Sequence, residues 1–342
     1  MLSEKERYEK MDIPFYEREI APLLPEHVLD FHTHVWRSSD WKTVPWQTDN
    51  KGDKYMVTTE EYPFERLEAD ARMIFPDRVY NAVCFGNPTP SADLDRTNEY
   101  SGQALDRSGL FPLIVTGKNI LAESTLREMI TEQKFYGYKV LLNWQGDDYG
   151  NVAISDMIGE TEMSLADELK LVVLLHVPRS GRLADPEIQQ GVASLAVKYP
   201  GAQIVLAHCG RCYLPDEMKK AIGSIRSHKN IFLDTSMVME PDVLKIVFDN
   251  IESSRVLFAT DFPVATMRGR RVYAMDHWVD IVLEGYSPSS FRIASNGISA
   301  TFMAWEIILA IRHAGEMAGL KKDRIKDIFY RNGMSVLKKQ NR

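Results

Sequence analysis

Eight short apolar runs alternate with helical patterns along most of the 342-residue chain, and this alternation is the strongest constraint on its fold. Each run is nearly continuous in hydrophobicity, which is typical of strands in a parallel sheet that is covered on both faces. Eight such units predict an α/β fold that closes into a (β/α)8 TIM barrel. The runs span residues 28–34, 80–86, 110–115, 137–142, 171–176, 202–208, 230–236 and 255–261.

A doubly wound open sheet is the alternative architecture. Its nucleotide-binding versions carry a glycine-rich phosphate motif after a strand, and no such motif follows any of the eight runs. Amphipathic stretches near residues 290–319 and 321–338 predict helices of the barrel's outer ring. Residues 1–27 are highly charged and predict a helical extension that packs on the barrel or on a partner subunit, which leaves residues 28–342 as one barrel domain.

A tryptophan-rich segment follows the first predicted strand. Residues 36–46 contain Trp36, Trp41 and Trp46 and show neither a helical nor a strand period. A long irregular segment with large aromatic side chains predicts a folded functional loop, in which we expect Trp36 to contact the substrate. The alternative is an aromatic patch that serves packing or subunit contact.

Composition excludes several classes of partner. The formal net charge of −7 and the pI near 5.7 argue against nucleic-acid binding, which needs a basic surface. No apolar run approaches the ~18–20 residues of a membrane span, and the charged N-terminus lacks the apolar core of a signal peptide. Cys84, Cys209 and Cys212 give no disulfide framework, which fits a reducing compartment. We expect a cytoplasmic homo-oligomer, such as a dimer, that acts on a small molecule.

Five potential metal ligands stand at the C-terminal ends of predicted strands. His32 and His34 end the first strand, His176 the fifth, His208 the sixth and Asp261 the eighth. Period-two alternation puts the first two histidines on one face, and the strand ends of a barrel converge on the face that carries the active site. Four of the eight histidines in the chain occupy these positions, which favours a shared metal site over separate packing roles.

Closure of the barrel would bring the first strand beside the eighth, so that Asp261 can reach an ion held by His32 and His34. Three imidazoles and one carboxylate around a divalent ion leave a position for water, as a catalytic site requires, and the ion lowers the pKa of that water. His208 is placed to transfer a proton or to hold a substrate oxygen. Asp261 can bind the ion and also accept the water's proton. The alternative for His208 is a further ligand or a histidine of the core.

Five segments of the chain carry a family resemblance: Asp30-Phe31-His32-Thr33-His34, Leu175-His176, Ala207-His208-Cys209-Gly210, Ala259-Thr260-Asp261-Phe262-Pro263 and Ile328-Phe329-Tyr330-Arg331-Asn332-Gly333-Met334. They resemble the amidohydrolase superfamily, specifically its amidohydrolase-2 branch, in the correct order over residues 28–338. The branch includes 2-amino-3-carboxymuconate semialdehyde decarboxylase, related aromatic-acid decarboxylases, pyrone-dicarboxylate and sugar lactonases, and hydratases. The resemblance implies that His32, His34, His176 and Asp261 ligate one zinc-like ion, with manganese or iron as alternatives, and that His208 is the catalytic histidine.

One departure from that branch concerns Lys139 on the predicted fourth strand. Gly137-Tyr138-Lys139-Val140 also resembles the segment in which other members of the superfamily carry a carboxylated lysine that bridges two metal ions. With that modification the site would hold two ions and His208 would become a ligand. The alternative is an ordinary lysine that pairs with a nearby acid or with the substrate, and the single metal usual in the branch favours it.

Arginines near the strand ends predict an anionic substrate. Arg179 and Arg211 each lie three residues after a strand-end histidine, and Arg268, Arg270 and Arg271 lie in the loop after the eighth strand. Loops after the strands build the rim of the pocket, and guanidinium groups match carboxylate or phosphate. We expect Arg179 and Arg211 to bind the substrate. The alternative is that each arginine pairs with a local acid.

The sequence therefore predicts a metal-dependent hydrolase that cleaves a C–O or C–N bond of a small carboxylated compound with metal-activated water. Non-oxidative decarboxylation of an aromatic or enoic acid is the first alternative, because the same ligands can steer a carboxylate. Isomerisation of a sugar acid is a second alternative, and a barrel that only binds a ligand or a partner is a third. Barrels host unrelated chemistries, so the fold alone does not choose among them.

Overall fold

A parallel barrel forms the centre of the computed structural model, which describes residues 3–43, 59–87, 89–140, 149–283, 290–292 and 300–340. Its strands pair in chain order in two hydrogen-bonded sets, β1 to β3 and β4 to β9. Every neighbouring pair within these sets is parallel. The strands are β1 His27–His34, β2 Val79–Phe85, β3 Leu110–Pro112, β4 Ile114–Val115, β5 Gly137–Val140, β6 Val172–Leu175, β7 Gln203–Leu206, β8 Ile231–Asp234 and β9 Val256–Leu257.

Backbone hydrogen bonds at two places close these sets into one ring. Leu113 lies between β3 and β4 and donates its backbone N–H to the carbonyl of Cys84 on β2 (2.9 Å), so β3 and β4 are the two halves of the predicted third strand. Just beyond β9, the carbonyl of Phe258 accepts the backbone N–H of Phe31 on β1 (2.9 Å). The last strand therefore joins the first, and the predicted (β/α)8 barrel is confirmed.

Helices cover the outside of the barrel. Asp185 caps the helix Pro186–Lys198 by accepting the backbone N–H of Glu187 (2.9 Å), and proline again opens the helices Pro215–Ile225 and Pro241–Asn250. Proline suits a first position because its fixed φ matches the helix and an N–H there would be unpaired. No helix of the described segments has both the length and the hydrophobicity to cross a membrane. The other α-helices after β1 are Phe64–Ile74, Leu94–Gly102, Glu123–Thr131, Ile154–Met157, Glu160–Leu169, Met303–Met317, Lys322–Ile328 and Arg331–Leu337.

A bulge in β1 turns its histidines into the barrel. Phe31 belongs to the apolar cluster that fills the barrel interior, so strict alternation would point His32 outward. The register of β1 with β2 shifts between Asp30 and Thr33, and a bulge of this kind re-aims the side chains that follow it. His32 consequently reaches Lys139 on β5, across the interior. The other buried members of the interior cluster are Leu29, Val83, Phe85, Leu113, Val115, Val172, Leu174, Val205, Ala207, Phe232, Leu257, Ala259, Val336 and Leu337.

A small sheet follows the last barrel strand, where the sequence predicts only a loop. β10 (Gly269–Ala274) pairs antiparallel with β11 (His277–Val282), and β12 (Ser290–Arg292) pairs parallel with β11. The prediction of a helix from residue 290 is therefore wrong at its start, and the described helix begins at Met303. Pairing with a neighbouring strand overrides the local helical period of residues 290–292.

The N-terminal extension is helical and packs on the outer helices. It runs through short α, π and 3₁₀ segments from Glu4 to Leu23. The ring of Phe15 stacks on Trp305 with centroids 5.8 Å apart, and the Tyr8 hydroxyl donates to the carbonyl of Met73 (2.8 Å). The extension thus contacts the barrel itself, while the division of the chain into an extension and a barrel domain stays a prediction.

Replacement of Gly137 by alanine should disrupt the pairing of β5 with β6. Gly137 has φ +141°, and a Cβ atom there would lie 2.0 Å from the carbonyl oxygen of Val172. The backbone must move to relieve this contact. We therefore expect Gly137→Ala to lower the free energy of unfolding by about 3 kcal/mol or more, measured by urea denaturation.

Gly223→Ala is the matched control for that substitution. Gly223 lies within the helix Pro215–Ile225, and nothing lies within 4 Å of a Cβ atom added there. Alanine should leave the free energy of unfolding unchanged or raise it by up to about 1 kcal/mol, because it favours the helix more than glycine does. Equal effects of the two substitutions would contradict the steric account of Gly137.

Candidate active site

Three potential metal ligands meet at the C-terminal mouth of the barrel. His32 and His34 lie at the end of β1, and Asp261 follows β9. Asp261 Oδ1 lies 3.3 Å from His32 Nε2 and 3.2 Å from His34 Nε2. One ligand atom from each residue lies within 4.8 Å of the other two, and all three side chains are buried. The structure thus brings three of the four predicted ligands together.

Asp234, the last residue of β8, connects His32 to His208. Its Oδ2 lies 2.9 Å from His32 Nδ1, and its Oδ1 accepts the backbone N–H groups of His208 (2.7 Å) and Ser236 (3.1 Å). Because an ionised carboxylate only accepts hydrogen bonds, we assign the His32 proton to Nδ1, which leaves the lone pair of Nε2 facing Asp261. A carboxylate in this position orients a metal-binding histidine and raises its basicity.

His208 begins a left-handed turn directly after β7. The φ angles of His208, Cys209, Gly210 and Arg211 are +55°, +50°, +68° and +61°. This conformation costs a non-glycine residue about 1–2 kcal/mol, and such strain clusters at functional sites. His208 Nδ1 lies 2.8 Å from Oγ and 3.2 Å from the carbonyl oxygen of Ser236. The carbonyl oxygen can only accept, so the proton of His208 belongs on Nδ1 and its Nε2 carries a lone pair.

His176, the fourth predicted ligand, lies on the other side of His208. The His176 and His208 rings are 4.9 Å apart between centroids, and the His208 and His32 rings are also 4.9 Å apart. His176 Nδ1 is buried without a hydrogen-bond partner. In the described residues, His176 does not join the groups of ligand atoms that lie within 4.8 Å of one another. Its role as a ligand therefore stays a prediction.

Lys139 reaches the same centre from β5. Its side chain is fully buried, its Nζ lies 3.0 Å from His32 Nε2, and it stands over the Phe85 ring at 4.8 Å. Burial lowers the pKa of Lys139 to about 8, although the charges of Asp261 and Asp234 act in the opposite direction. The amine is thus within reach of a proposed ligand, and its carboxylation and bridging role stay a prediction.

Burial controls the charge states at the site. It lowers the pKa of His34 to about 4 and that of His208 to about 3, and it lowers the pKa of His176 well below its usual value. Burial alone would raise the pKa of Asp261, but the interactions with His32, His34 and His208 hold it far below its usual value. Near neutral pH the site therefore offers neutral imidazoles at His34, His176 and His208 and an ionised carboxylate at Asp261, which are the forms that bind metals.

This set of donors fits a divalent ion. The lone pair of His32 Nε2 and Asp261 Oδ1 are both acceptors 3.3 Å apart, so a positive charge beside them, such as the Lys139 ammonium 3.0 Å from Nε2 or a divalent ion, offsets their repulsion. The buried nitrogen His176 Nδ1 also lacks a partner. Imidazole and carboxylate together suit zinc, manganese and iron.

Asp30 is a buried carboxylate that the sequence analysis does not single out. Its Oδ1 accepts the backbone N–H groups of His32 (3.1 Å) and Thr260 (2.9 Å), and its Oδ2 accepts the hydroxyl groups of Tyr80 (2.9 Å) and Thr260. These bonds connect the end of β1 to the segment that carries Asp261. The sequence contains one signal for this role, since Asp30 stands within an apolar strand. A buried aspartate needs several hydrogen-bond partners, so such a position indicates a carboxylate that connects neighbouring segments.

The two predicted substrate-binding arginines differ in how their charges are balanced. Arg179 lies 2.6 Å from Glu187 and 3.6 Å from Asp185. Arg211 donates to the backbone carbonyls of Val177 (3.0 Å) and Arg179 (3.4 Å), and no carboxylate of the described residues lies within 4.0 Å of it. Among the described residues the charge of Arg211 therefore has no acidic partner, whereas the contacts of Arg179 are those of a structural ion pair.

The arginines after Asp261 are also paired with acids. Arg268 pairs with Asp12, Arg270 with Glu240 and Glu306, and Arg271 with Asp280.

Trp36 lies in the hydrophobic core. It is 1% exposed, its indole N–H donates to the carbonyl of Glu60 (3.0 Å), and the indole N–H of Trp41 donates to the same carbonyl (3.3 Å). Residues 44–58, with Trp46, lie outside the described residues. The contacts of Trp36 are those of a packing residue, and its contact with substrate stays a prediction.

A parallel barrel with histidines and an aspartate gathered at its mouth defines a metal-dependent enzyme of the amidohydrolase type. Residues 29–285 match the model of the amidohydrolase-2 family, which is described as amidohydrolase. The chain belongs to this family. The resemblance seen in the strand-end motifs is thereby confirmed.

Solved structures with the same fold share little sequence with the chain. A 4-oxalomesaconate hydratase from Rhodopseudomonas palustris has a TM-score of 0.55 at 15% identity and covers 91% of this chain and 96% of its own. A zinc-bound amidohydrolase from Burkholderia multivorans has a TM-score of 0.57 at 13% identity, with coverages of 91% and 99%. A probable 2-pyrone-4,6-dicarboxylic acid hydrolase from Acinetobacter baumannii, with citric acid bound, has a TM-score of 0.56 at 13% identity, with the same coverages of 91% and 99%. These likenesses establish the fold alone, and no curated protein matches the chain.

Replacement of Asp234 by asparagine should weaken metal binding without unfolding the barrel. The amide lacks the charge that holds His32 Nδ1–H, and carboxylates in this position contribute about 10–100-fold to metal affinity. We expect the affinity of Asp234→Asn for zinc to fall by that factor, measured by competition with a chromophoric chelator.

Asp249→Asn is the control for Asp234→Asn. Asp249 lies on the outer helix Pro241–Asn250, where its carboxylate is 2.6 Å from Lys245 Nζ at the surface. Its replacement should leave zinc affinity unchanged. If Asp234→Asn also binds zinc as tightly as the native protein, Asp234 does not orient a metal ligand.

Proposed function

We propose that the chain hydrolyses a C–O or C–N bond of a small carboxylated compound with one divalent metal ion. The observation that carries this proposal is the meeting of His32, His34 and Asp261 at the barrel mouth, next to the ring of His208. Their burial and charge states suit a metal, and the neighbouring histidine supplies a group for proton transfer.

We assign the ion to His32, His34, His176 and Asp261. Zinc is the first candidate, since a structurally similar amidohydrolase carries it, and manganese and iron are the alternatives. When bound, the ion supplies a Lewis acid that polarises a carbonyl oxygen and lowers the pKa of a water molecule.

We assign proton transfer to His208 and Asp261. His208 donates its Nδ1 proton to the carbonyl of Ser236, so Nε2 is available to exchange a proton with the substrate or to hold a substrate oxygen. Asp261 directs Oδ1 toward the two imidazoles of β1. In the described part of the chain, its Oδ2 makes no hydrogen bond and can therefore accept a proton. A nitrogen base and a carboxylate in one pocket suit general acid–base catalysis.

The charge of Arg211 supports an anionic substrate. Desolvation lowers the pKa of this guanidinium, and a half-buried cation that has no counter-charge among the described residues is stabilised when a ligand supplies one. The compounds named for the similar structures, 4-oxalomesaconate, 2-pyrone-4,6-dicarboxylic acid and citric acid, are all carboxylic acids. We therefore propose that Arg211 binds a carboxylate of the substrate.

We further propose that the protein is a cytoplasmic homodimer in which residues 1–27 form an extension of the barrel domain, residues 28–342. Cys84, Cys209 and Cys212 are free and buried, which fits a compartment where disulfides do not form. Size-exclusion chromatography with light scattering tests the assembly. The mass of a single chain would contradict the dimer.

Removal of the ion tests the metal assignment. Protein purified without a chelator should contain about one metal ion per chain, measured by inductively coupled plasma mass spectrometry. Dialysis against a chelator should abolish turnover in a panel of lactones, amides and aromatic acids, and zinc should restore it. Release of CO2 instead of a hydrolysis product would favour decarboxylation. A ratio of about two ions per chain would contradict the single ion and favour a carboxylated Lys139.

Replacement of Arg211 by methionine tests the anionic substrate. A hydrogen-bonded charge pair contributes about 1.5–3 kcal/mol, so Arg211→Met should raise KM for a carboxylated substrate about 10–100-fold with little change in metal content. Arg179→Met is the matched control, since Glu187 and Asp185 already balance that charge. If both variants raise KM equally, the balance of charges does not identify the substrate-binding arginine.

A further inference from the structure

The side-chain amide of Asn87 is buried and, within the described segments, has no hydrogen-bond partner. The side chain is 2% exposed, and its Oδ1 and its Nδ2 are both unpaired among the described residues. An amide oxygen accepts hydrogen bonds, an amide nitrogen donates them, and a buried polar group normally has at least one partner. Burial without a partner is destabilising. A ligand that brings both a donor and an acceptor would satisfy this amide.

The end of β2 places Asn87 at the C-terminal mouth of the barrel. Asn87 stands two residues beyond Phe85, the last residue of this strand. The Phe85 ring lies 4.6 Å from the His34 ring and 5.2 Å from the His32 ring, between centroids. Pairing with the first strand continues to this point, because the carbonyl of Phe85 accepts the backbone N–H of Val35 (2.9 Å). The amide therefore belongs to the same end of the barrel as the proposed metal ligands.

Alternation along the segment turns Asn87 toward the pocket. Phe85 belongs to the apolar cluster inside the barrel. Gly86 faces outward, because a Cβ atom there would overlap the side chain of Thr97 on the helix Leu94–Gly102. Neither Gly86 nor Asn87 has a left-handed φ angle. Since successive side chains of a strand point to opposite faces, the continuation of β2 directs Asn87 to the same side as Phe85.

Asn98 shows how another buried carboxamide of the protein is satisfied. Its Nδ2 donates to the carbonyl of Val115 (3.1 Å), and its Oδ1 accepts the backbone N–H of the same residue (2.8 Å). Two hydrogen bonds thus join the side chain to a neighbouring N–H and C=O. Asn87 offers the same pair of groups, with nothing bound to them in the described part of the chain.

We propose that Asn87 is a specificity-determining residue that binds a neutral edge of the substrate, in which an N–H donor stands beside a carbonyl oxygen, as in an amide or a lactam. A carboxylate would satisfy Nδ2 alone, because it has no donor for Oδ1. The inference rests on the proposed function and narrows it. The substrate carries an amide group in addition to its carboxylate.

Replacement of Asn87 by leucine tests whether the amide is kept for a ligand. Leucine is similar in size and has no polar side-chain atom. The full chain with Asn87→Leu, without ligand, should therefore unfold at a higher urea concentration than the native protein, because an unsatisfied buried amide is removed. A structural asparagine would give the opposite shift. An unchanged or lower midpoint of unfolding overturns the proposal.

Asn98→Leu is the matched control for the stability measurement. Asn98 is also a buried asparagine, at 4% exposure, but both of its amide atoms are paired with the backbone of Val115. Leucine there removes both hydrogen bonds and leaves the partner groups unpaired. This variant should unfold at a lower urea concentration than the native protein. If the two leucine variants shift the midpoint in the same direction, the missing partners of Asn87 do not mark a ligand site.

Binding of two aromatic acids to the zinc-loaded full chain tests the class of ligand. The amide of meta-carbamoylbenzoate is replaced in meta-acetylbenzoate by a methyl ketone of the same shape, which has no donor. By isothermal titration calorimetry, the native protein should bind the amide at least about tenfold more tightly, because a site built to hydrogen-bond an N–H rejects the analogue that lacks it. Asn87→Leu should remove this preference and leave the zinc content unchanged.

The outcomes separate this proposal from the proposed function. Equal affinities of the native protein for the two acids, binding of neither acid, or a preference that persists in Asn87→Leu overturns the role of Asn87. The hydrolase assignment stands in each of these cases if the native protein holds its metal and shows turnover that a chelator abolishes. If metal and turnover are both absent, the proposed function fails and this inference fails with it.

Discussion

The arrangement of the site depends on the buried carboxylate of Asp234. One oxygen holds the ring of His32 and the other holds the backbone of His208, so a single charge positions groups from β1 and from the turn after β7. Burial of a carboxylate is costly unless its lone pairs are filled, and the backbone N–H and hydroxyl of Ser236 supply further donors. The orientation of the imidazoles on β1 therefore depends on closure of the barrel, because the carboxylate that holds His32 comes from β8.

Sequence patterns predicted the barrel and the residues at its strand ends, because hydrophobicity along a run determines both. The inward direction of His32 was not predictable in this way, since it follows from a bulge that exists only against the neighbouring strand β2. The motif Asp30-Phe31-His32-Thr33-His34 likewise contained Asp30 without revealing that its oxygens bind Thr260, far along the chain. Periodicity also missed the small sheet after β9, where pairing between strands decides the conformation.

Local spacing could not separate Arg179 from Arg211, because each follows a strand-end histidine by three residues. Their difference arises from what folds nearby. The acidic residues that start the helix Pro186–Lys198 also neutralise Arg179, whereas Arg211 emerges from a left-handed turn that directs it to backbone carbonyls. The N-cap residue Asp185 thus has a second, electrostatic role that only the tertiary structure reveals.

The ion pair between Asp12 and Arg268 links the amino-terminal extension to the loop that leaves Asp261. Both partners are largely shielded from solvent. Loss of one would leave the charge of the other buried without a partner, which would lower the stability by about 3–5 kcal/mol. Proteolytic removal of Asp12 would therefore change the barrel mouth. It would leave the Arg268 guanidinium without its acid, and residues 261–268 connect Arg268 to the proposed ligand Asp261. The extension thereby stabilises, from outside the barrel, the loop that follows Asp261.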